Sequence, residues 1–81
     1  MNKVRKQMVE MAKDYIVTSM IELLELKEDR KQLIKGLEWK GKCIVSNKEV
    51  QNLNDVIESL ETSKEMAMQY IRNASKEEQP N

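Results

Sequence analysis

The fold is decided by residues 50–74, VQNLNDVIESLETSKEMAMQYIRNA, in which apolar residues, with one lysine among them, recur at steps of three and four. These positions, called the seam below, are Val50, Leu53, Ile57, Leu60, Lys64, Ala67, Ile71 and Ala74. A seam with this spacing follows one face of a helix and packs lengthwise against another helix. The segment therefore predicts a long helix paired with a second one.

The partner helix is predicted upstream, where no proline or glycine occurs from Asn2 to Lys35 and strong helix formers dominate. The same spacing gives a second seam there. Its positions are Val9, Ala12, Ile16, Ser19, Leu23, Leu26, Arg30, Leu33 and Leu37. Two seams separated by one short connection predict two antiparallel helices.

We predict an all-α helical hairpin, aligned from the connection outward so that Leu37 meets Val50. Helix 1 is expected over about 2–36, the loop over about 37–46 and helix 2 over about 47–74. The charged seam residues are expected to lay their methylene stems over apolar neighbours with the head in water. Alternatively, one of them pairs with a carboxylate across an oligomer interface.

The helix ends carry their own signals. Gly36 and Gly41 are both candidates for the left-handed residue that ends helix 1. Residues 46–49, Ser-Asn-Lys-Glu, have the pattern of a capping box, so the Ser46 hydroxyl is expected to cap helix 2. Val45, just before this cap, is expected to supply an apolar staple.

The composition limits the classes of function. The chain has 81 residues, with 14 basic residues, 14 acidic residues and no histidine. This length fits one domain, 1–75, followed by a disordered tail, 76–81, that has no apolar residue. Without histidine the commonest general base and metal ligand is missing, so we predict no enzyme, no metal and no cofactor.

The apolar runs are too short to span a bilayer, so no membrane partner is expected. A single cysteine, Cys43, permits no internal disulfide and favours a cytoplasmic location. A lone cysteine is usually a small buried apolar residue. The alternative is a reactive thiol whose pKa is lowered by nearby lysines.

Helix 1 has more apolar residues than one partner helix can cover. The residues beside the seam that we expect to mediate self-association are Met8, Met11, Tyr15, Met20, Ile21 and Leu24. A patch this broad usually marks an interface. We therefore predict a homodimer that forms a four-helix bundle.

The loop contains the only tryptophan, Trp39, surrounded by Lys40, Lys42 and Lys48. One interpretation is an apolar plug that closes the end of the bundle. The other is an anchor for another protein, because tryptophan is enriched in interface hot spots. These four residues are the candidate partner-binding site.

A second cluster of positive charge is predicted where the two chain ends meet. Its members are Lys3, Arg5, Lys6, Lys13 and Arg72. Positive charge at a helix N-terminus opposes the macrodipole, so contact with phosphate would explain it. In overall plan, two long antiparallel helices with a short connection, the chain resembles the small plasmid RNA-binding helical-hairpin dimers, which implies a nucleic-acid partner; no motif of theirs matches residue by residue, so the chain is assigned to no family.

From these features we predict a small non-enzymatic protein-protein interaction module, a regulatory adaptor or inhibitor of a partner protein. The first alternative is an RNA- or DNA-binding hairpin dimer that uses its basic end. The second alternative is a structural or assembly component, which would associate beyond a dimer.

Overall fold

The computed structural model describes residues 3–78 and has two helices there, α1 (Lys3–Trp39) and α2 (Lys48–Glu78). Residues 40–47 connect them, and the helices pack antiparallel to form a rod of about 60 × 17 × 16 Å. Within the described range there is no strand. The predicted all-α helical hairpin is confirmed.

The core of the rod is the contact between the two seams. Every seam position predicted on either helix is buried or half-buried. The buried apolar side chains, each with 8% or less of its surface exposed, are Val9, Leu23, Leu37, Val50, Ile57 and Ala74. The step of three and four in the sequence therefore identified the residues that hold the helices together.

Two polar contacts between the helices agree with the predicted register. Arg30 Nη1 donates to Asn54 Oδ1 at 2.8 Å, so Arg30 has a partner within its own chain. Lys27 Nζ lies 2.9 Å from Glu61 Oε1. The residues that precede these two, Leu26 and Leu60, are seam positions that the predicted register places opposite each other. The hydrogen bond and charge of Lys27 hold the pKa of Glu61 below its usual value. The stability that this pair adds is therefore lost as the pH falls through the lowered pKa.

Helix α1 ends in a Schellman motif centred on Gly41, which has a φ of 68°. The Lys42 N–H donates to the Leu37 carbonyl at 2.9 Å, and the Gly41 N–H donates to the Glu38 carbonyl at 3.0 Å. Gly36, the other candidate, lies inside the helix. Helix α1 therefore continues to Trp39, beyond the predicted end near residue 36.

The prediction that Ser46 caps α2 is wrong, because Asn47 does so. The Val50 N–H donates to Asn47 Oδ1 at 3.1 Å, the usual N-cap bond. At Ser46 the chain is still turning, since the Asn47 N–H closes a turn onto the Ile44 carbonyl at 3.1 Å. Val45 is 83% exposed and forms no staple.

Helix α2 is longer than predicted at its C-terminal end. It runs without a break to Glu78, so residues 76–78 of the expected disordered tail are helical. Residues 79–81 of that tail lie outside the described residues. Lysine and glutamate are good helix formers, and they continue the helix without help from the seam.

Ser19 is the most deeply buried side chain of the hairpin, with 1% of its surface exposed. Its Oγ has no hydrogen-bond partner among the described residues. The seam register places it opposite Ala67, and two small residues allow the helices to approach closely there. The hydroxyl has therefore lost its hydration without a hydrogen bond in return, which is unfavourable.

Replacing the two glycines by alanine should change stability in opposite directions. Gly41→Ala is expected to lower the free energy of unfolding by about 1–2 kcal/mol, because a Cβ is unfavourable at positive φ. Gly36→Ala should raise it by up to about 1 kcal/mol, because a Cβ there meets nothing within 4 Å and alanine favours the helix. Urea unfolding followed by circular dichroism measures both. Equal effects at the two positions would contradict this assignment of the helix end.

Ser19→Ala should raise the free energy of unfolding by about 1–3 kcal/mol, because it removes a buried hydroxyl that has no partner. Ser19→Leu is the matched control and should destabilise by about 1–3 kcal/mol through overpacking. Thermal unfolding at one fixed protein concentration compares the three chains. A loss of stability in Ser19→Ala would show that the hydroxyl is bonded.

Candidate interaction surfaces

Trp39 is the last residue of α1 and is 91% exposed, so the prediction that it plugs the bundle end is wrong for the hairpin. Leu37 occupies that place and is buried. Two residues along a helix turn the side chain by about 200°, so Trp39 points away from the seam. Its ring is free to contact another molecule.

The lysines predicted around Trp39 are all exposed. Lys40 and Lys42 flank Gly41 in the Schellman turn, and Lys48 is the first residue of α2. The loop also exposes Val45, whose carbonyl accepts a hydrogen bond from Gln51 Nε2 at 3.1 Å. Sequence reasoning placed Val45 in the apolar staple and missed it as a surface residue.

Cys43 is exposed, so the prediction of a small buried residue is wrong. Its pKa is lowered, first by a hydrogen bond from the Ser46 side chain and then by the backbone N–H groups of Ser46 and Val45. These groups, and not the lysines, account for the lowered pKa. The Ser46 hydroxyl thus stabilises a thiolate in the loop instead of the N-terminus of α2.

The predicted self-association residues are all exposed in the hairpin, but they lie on two different sides of the seam. On one side Val4, Met8, Met11 and Tyr15 follow each other at helical steps of three and four. Their exposed fractions are 66%, 50%, 69% and 43%. The same row continues to Glu22, at the rim of a groove between the helices. We call this the acidic side.

Helix α2 adds to the acidic side through residues at the same spacing. The groove is lined by Glu22, Leu26, Asp55, Val56, Ser59, Leu60 and Ser63. From Ser63 the row continues to Met66, which is 69% exposed, and to the half-buried Tyr70. Apolar side chains from both helices therefore meet at one end of the acidic side.

The other side of the seam, which we call the lysine side, carries the contact between Lys27 and Glu61. Met20 and Leu24 lie beside a groove here that Lys27 and Lys64 also line. Together with Val17 and Ile21 they form an outer apolar stripe on α1, in which every residue is at least 53% exposed. The single wide face predicted from the sequence is thus two separate stripes.

On α1, charge divides between these sides although the whole chain is neutral, whereas the α2 row of the lysine side carries Glu58, Glu61 and Glu65 with Arg72. The α1 row of the acidic side, from Val4 to Asp29, and its α2 row, from Glu49 to Asn73, include no lysine or arginine. Their charged residues are Glu22, Glu25, Asp29 and Glu49, and Asp55 lines the same groove. On α1 the lysine side instead carries an excess of positive charge, from Lys3, Lys6, Lys13, Lys27 and Lys31.

The predicted nucleic-acid residues lie mostly on the lysine side. Lys3, Lys6 and Lys13 belong to its α1 row, and Arg72 follows Glu61 at helical spacing on α2, whereas Arg5 continues the seam and is half-buried. Glu10 lies among them and is 3.4 Å from Lys13 Nζ. This carboxylate reduces the positive charge of the cluster.

Within residues 3–78, no group of three or more histidine, cysteine, aspartate or glutamate side chains is placed to hold a metal ion. Neither described helix has an apolar stretch that could cross a bilayer. The exposed apolar side chains of the described residues lie in the loop around Trp39 and along the two sides of the rod.

Ser46→Ala and Asn47→Ala should have separate effects. Ser46→Ala is expected to raise the pKa of Cys43, because it removes the first of the hydrogen bonds to the thiolate. The midpoint of the alkylation rate against pH would then move to higher pH, with little change in stability. Asn47→Ala should lower the free energy of unfolding by about 1 kcal/mol and leave that midpoint in place. A stability loss in Ser46→Ala instead would restore it as the helix cap.

Comparison with known proteins gives no match: no family model fits the sequence, and neither a curated protein nor a solved structure is similar to it.

Proposed function

We propose that this chain is a non-enzymatic interaction module, an adaptor or inhibitor that acts by binding another protein and by associating with itself. The exposure of Trp39 carries this proposal. A tryptophan that is 91% exposed contributes nothing to the hairpin, whereas it is among the strongest contributors at interfaces.

The geometry of the loop supports binding through Trp39. The Schellman turn at Gly41 and the Asn47 cap fix both ends of the loop, so little conformational freedom is lost when a partner binds. Val45 adds a second exposed apolar side chain nearby in the sequence, and Lys40 and Lys42 favour an acidic rim on the partner.

Self-association is supported by the two apolar stripes. Monomeric proteins seldom leave contiguous patches of large apolar residues in water. A second copy of the hairpin laid against one stripe makes four helices, the smallest assembly that covers it. The lone cysteine fits action in the cytoplasm.

A second candidate function, binding of RNA or DNA, is favoured by one observation. Lys3, Lys6, Lys13 and Arg72 share the lysine side near one end of the rod. Phosphate binding would weaken linearly with the logarithm of salt concentration, whereas an apolar protein interface responds little to salt.

The test is affinity capture from extract of the source cells, with and without nuclease treatment, using the unaltered chain, Trp39→Ala and Thr62→Ala. Thr62 is exposed on α2, far from the loop and outside both sides of the rod, so Thr62→Ala is the control. We expect a protein that the unaltered chain and the control retain and that Trp39→Ala loses.

Two results would contradict the proposal. Trp39→Ala could retain the same proteins as the control, which would show that the loop binds none of them. Alternatively, all capture could disappear on nuclease treatment, which would favour the nucleic-acid function.

A further inference from the structure

The acidic side of the rod and the lysine side of α1 have complementary chemistry. The acidic side joins an apolar stripe to carboxylates, and its rows include no lysine or arginine. The lysine side of α1 joins a second apolar stripe to lysines. We propose that the acidic side of one copy binds the lysine side of α1 of the next copy, so that self-association uses two different faces. This proposal deepens the self-association part of the proposed function.

The positions of the charges along the helices fit this pairing. With a rise of about 1.5 Å per residue, Glu22 and Glu25 lie about 16 and 21 Å from Met11, in the middle of the acidic-side apolar stripe. On the lysine side, Lys31 and Lys6 lie about 16 and 21 Å from Met20, one on each side of it. With Met11 of one copy against Met20 of the next, a parallel docking helix brings Lys31 to Glu22. An antiparallel one brings Lys6 to Glu25.

A symmetric dimer through the acidic side alone would leave the carboxylates of that side without lysine partners. With the rods parallel, a two-fold axis along the rods would keep Glu22, Glu25 and Asp29 of one copy level with the same residues of the other, and no lysine or arginine of either acidic side would reach them. With the rods antiparallel and fully overlapped, the axis would pass near residue 21 of α1, so Glu22 would lie close to Glu22 of the other copy and Asp29 would lie between Met11 and Tyr15. Like charges or unpaired carboxylates at an interface oppose association.

A two-fold axis inside the apolar half would avoid both conflicts but would cover little of the molecule. Residues 4–15 extend over only about 16 Å, compared with a rod of about 60 Å. The stripe of Val17, Met20, Ile21 and Leu24 would also stay in water. Contact between unlike sides covers both stripes at once.

An interface between unlike faces does not close on itself. Each copy that docks through its lysine side still offers its acidic side, so copies add until a ring closes or a filament forms. The proposal therefore predicts association beyond a dimer, in contrast to the closed four-helix bundle expected from the sequence.

The test blocks each face separately and then mixes the blocked chains. One variant carries Met11→Glu and Tyr15→Glu on the acidic side, and the other carries Met20→Glu and Leu24→Glu on the lysine side. All four positions are exposed, so both variants should keep the hairpin, which circular dichroism checks. Thr62→Glu, an exposed position on neither side, controls for the added charge.

Sedimentation equilibrium should give the unaltered chain and the Thr62→Glu control a mean mass that rises with concentration beyond twice the 9.5 kDa of one chain. Each blocked variant alone should sediment as a monomer. Their equimolar mixture should form a dimer that grows no further, because one intact acidic side then meets one intact lysine side.

Three outcomes would overturn the proposal. If only one blocked variant loses association, the interface is symmetric and uses that face alone. If the mixture stays monomeric, the two sides do not bind each other. If the unaltered chain is a monomer at every concentration, the stripes do not bind a second copy, although capture through Trp39 could still succeed and the two proposals would then separate.

Discussion

A pair of helices can bury only one stripe of each, and this constraint governs the whole molecule. The rod is about 17 × 16 Å across and is made of two helices, so among the described residues the seam is its only interior. Ser19, with 1% of its surface exposed, is the most deeply buried position of that seam. Every other apolar side chain must lie at the surface, which explains why Met11 and Leu24 are 69% and 72% exposed.

The same constraint gives the loop its importance. With a core that is a single line of contacts, the ends of the helices depend on local bonds of the backbone. The turn at Gly41 and the Asn47 cap supply those bonds. Because they satisfy the helix ends without using Trp39 or Val45, these two apolar side chains are left for contact with other molecules.

The seams could be predicted from the sequence because helical spacing repeats over many turns, and a long repeat tolerates local exceptions such as Lys64. The helix cap could not, because Ser46 and Asn47 are adjacent and both are good N-cap residues. Only the turn that ends at Asn47 decides between them. The exposure of Cys43 depends on the same turn, which no pattern of residue types specifies.

The division of the apolar residues into two sides could have been found from the sequence. Met8 and Met20 were grouped because both lie beside the seam, but they lie on opposite sides of it, and a helical projection distinguishes them. The partner that these residues contact is a separate question, because a pattern of charge and apolar surface indicates the chemistry of a partner and not its identity.

The exposure of Trp39 also determines what its fluorescence can report. It is the only tryptophan of the chain and stands in water in the folded hairpin, so its emission should change little when the seam melts. Its spectrum should instead shift to shorter wavelength when another molecule covers the loop. The chain thus carries a built-in optical probe that is nearly silent to unfolding and sensitive to docking.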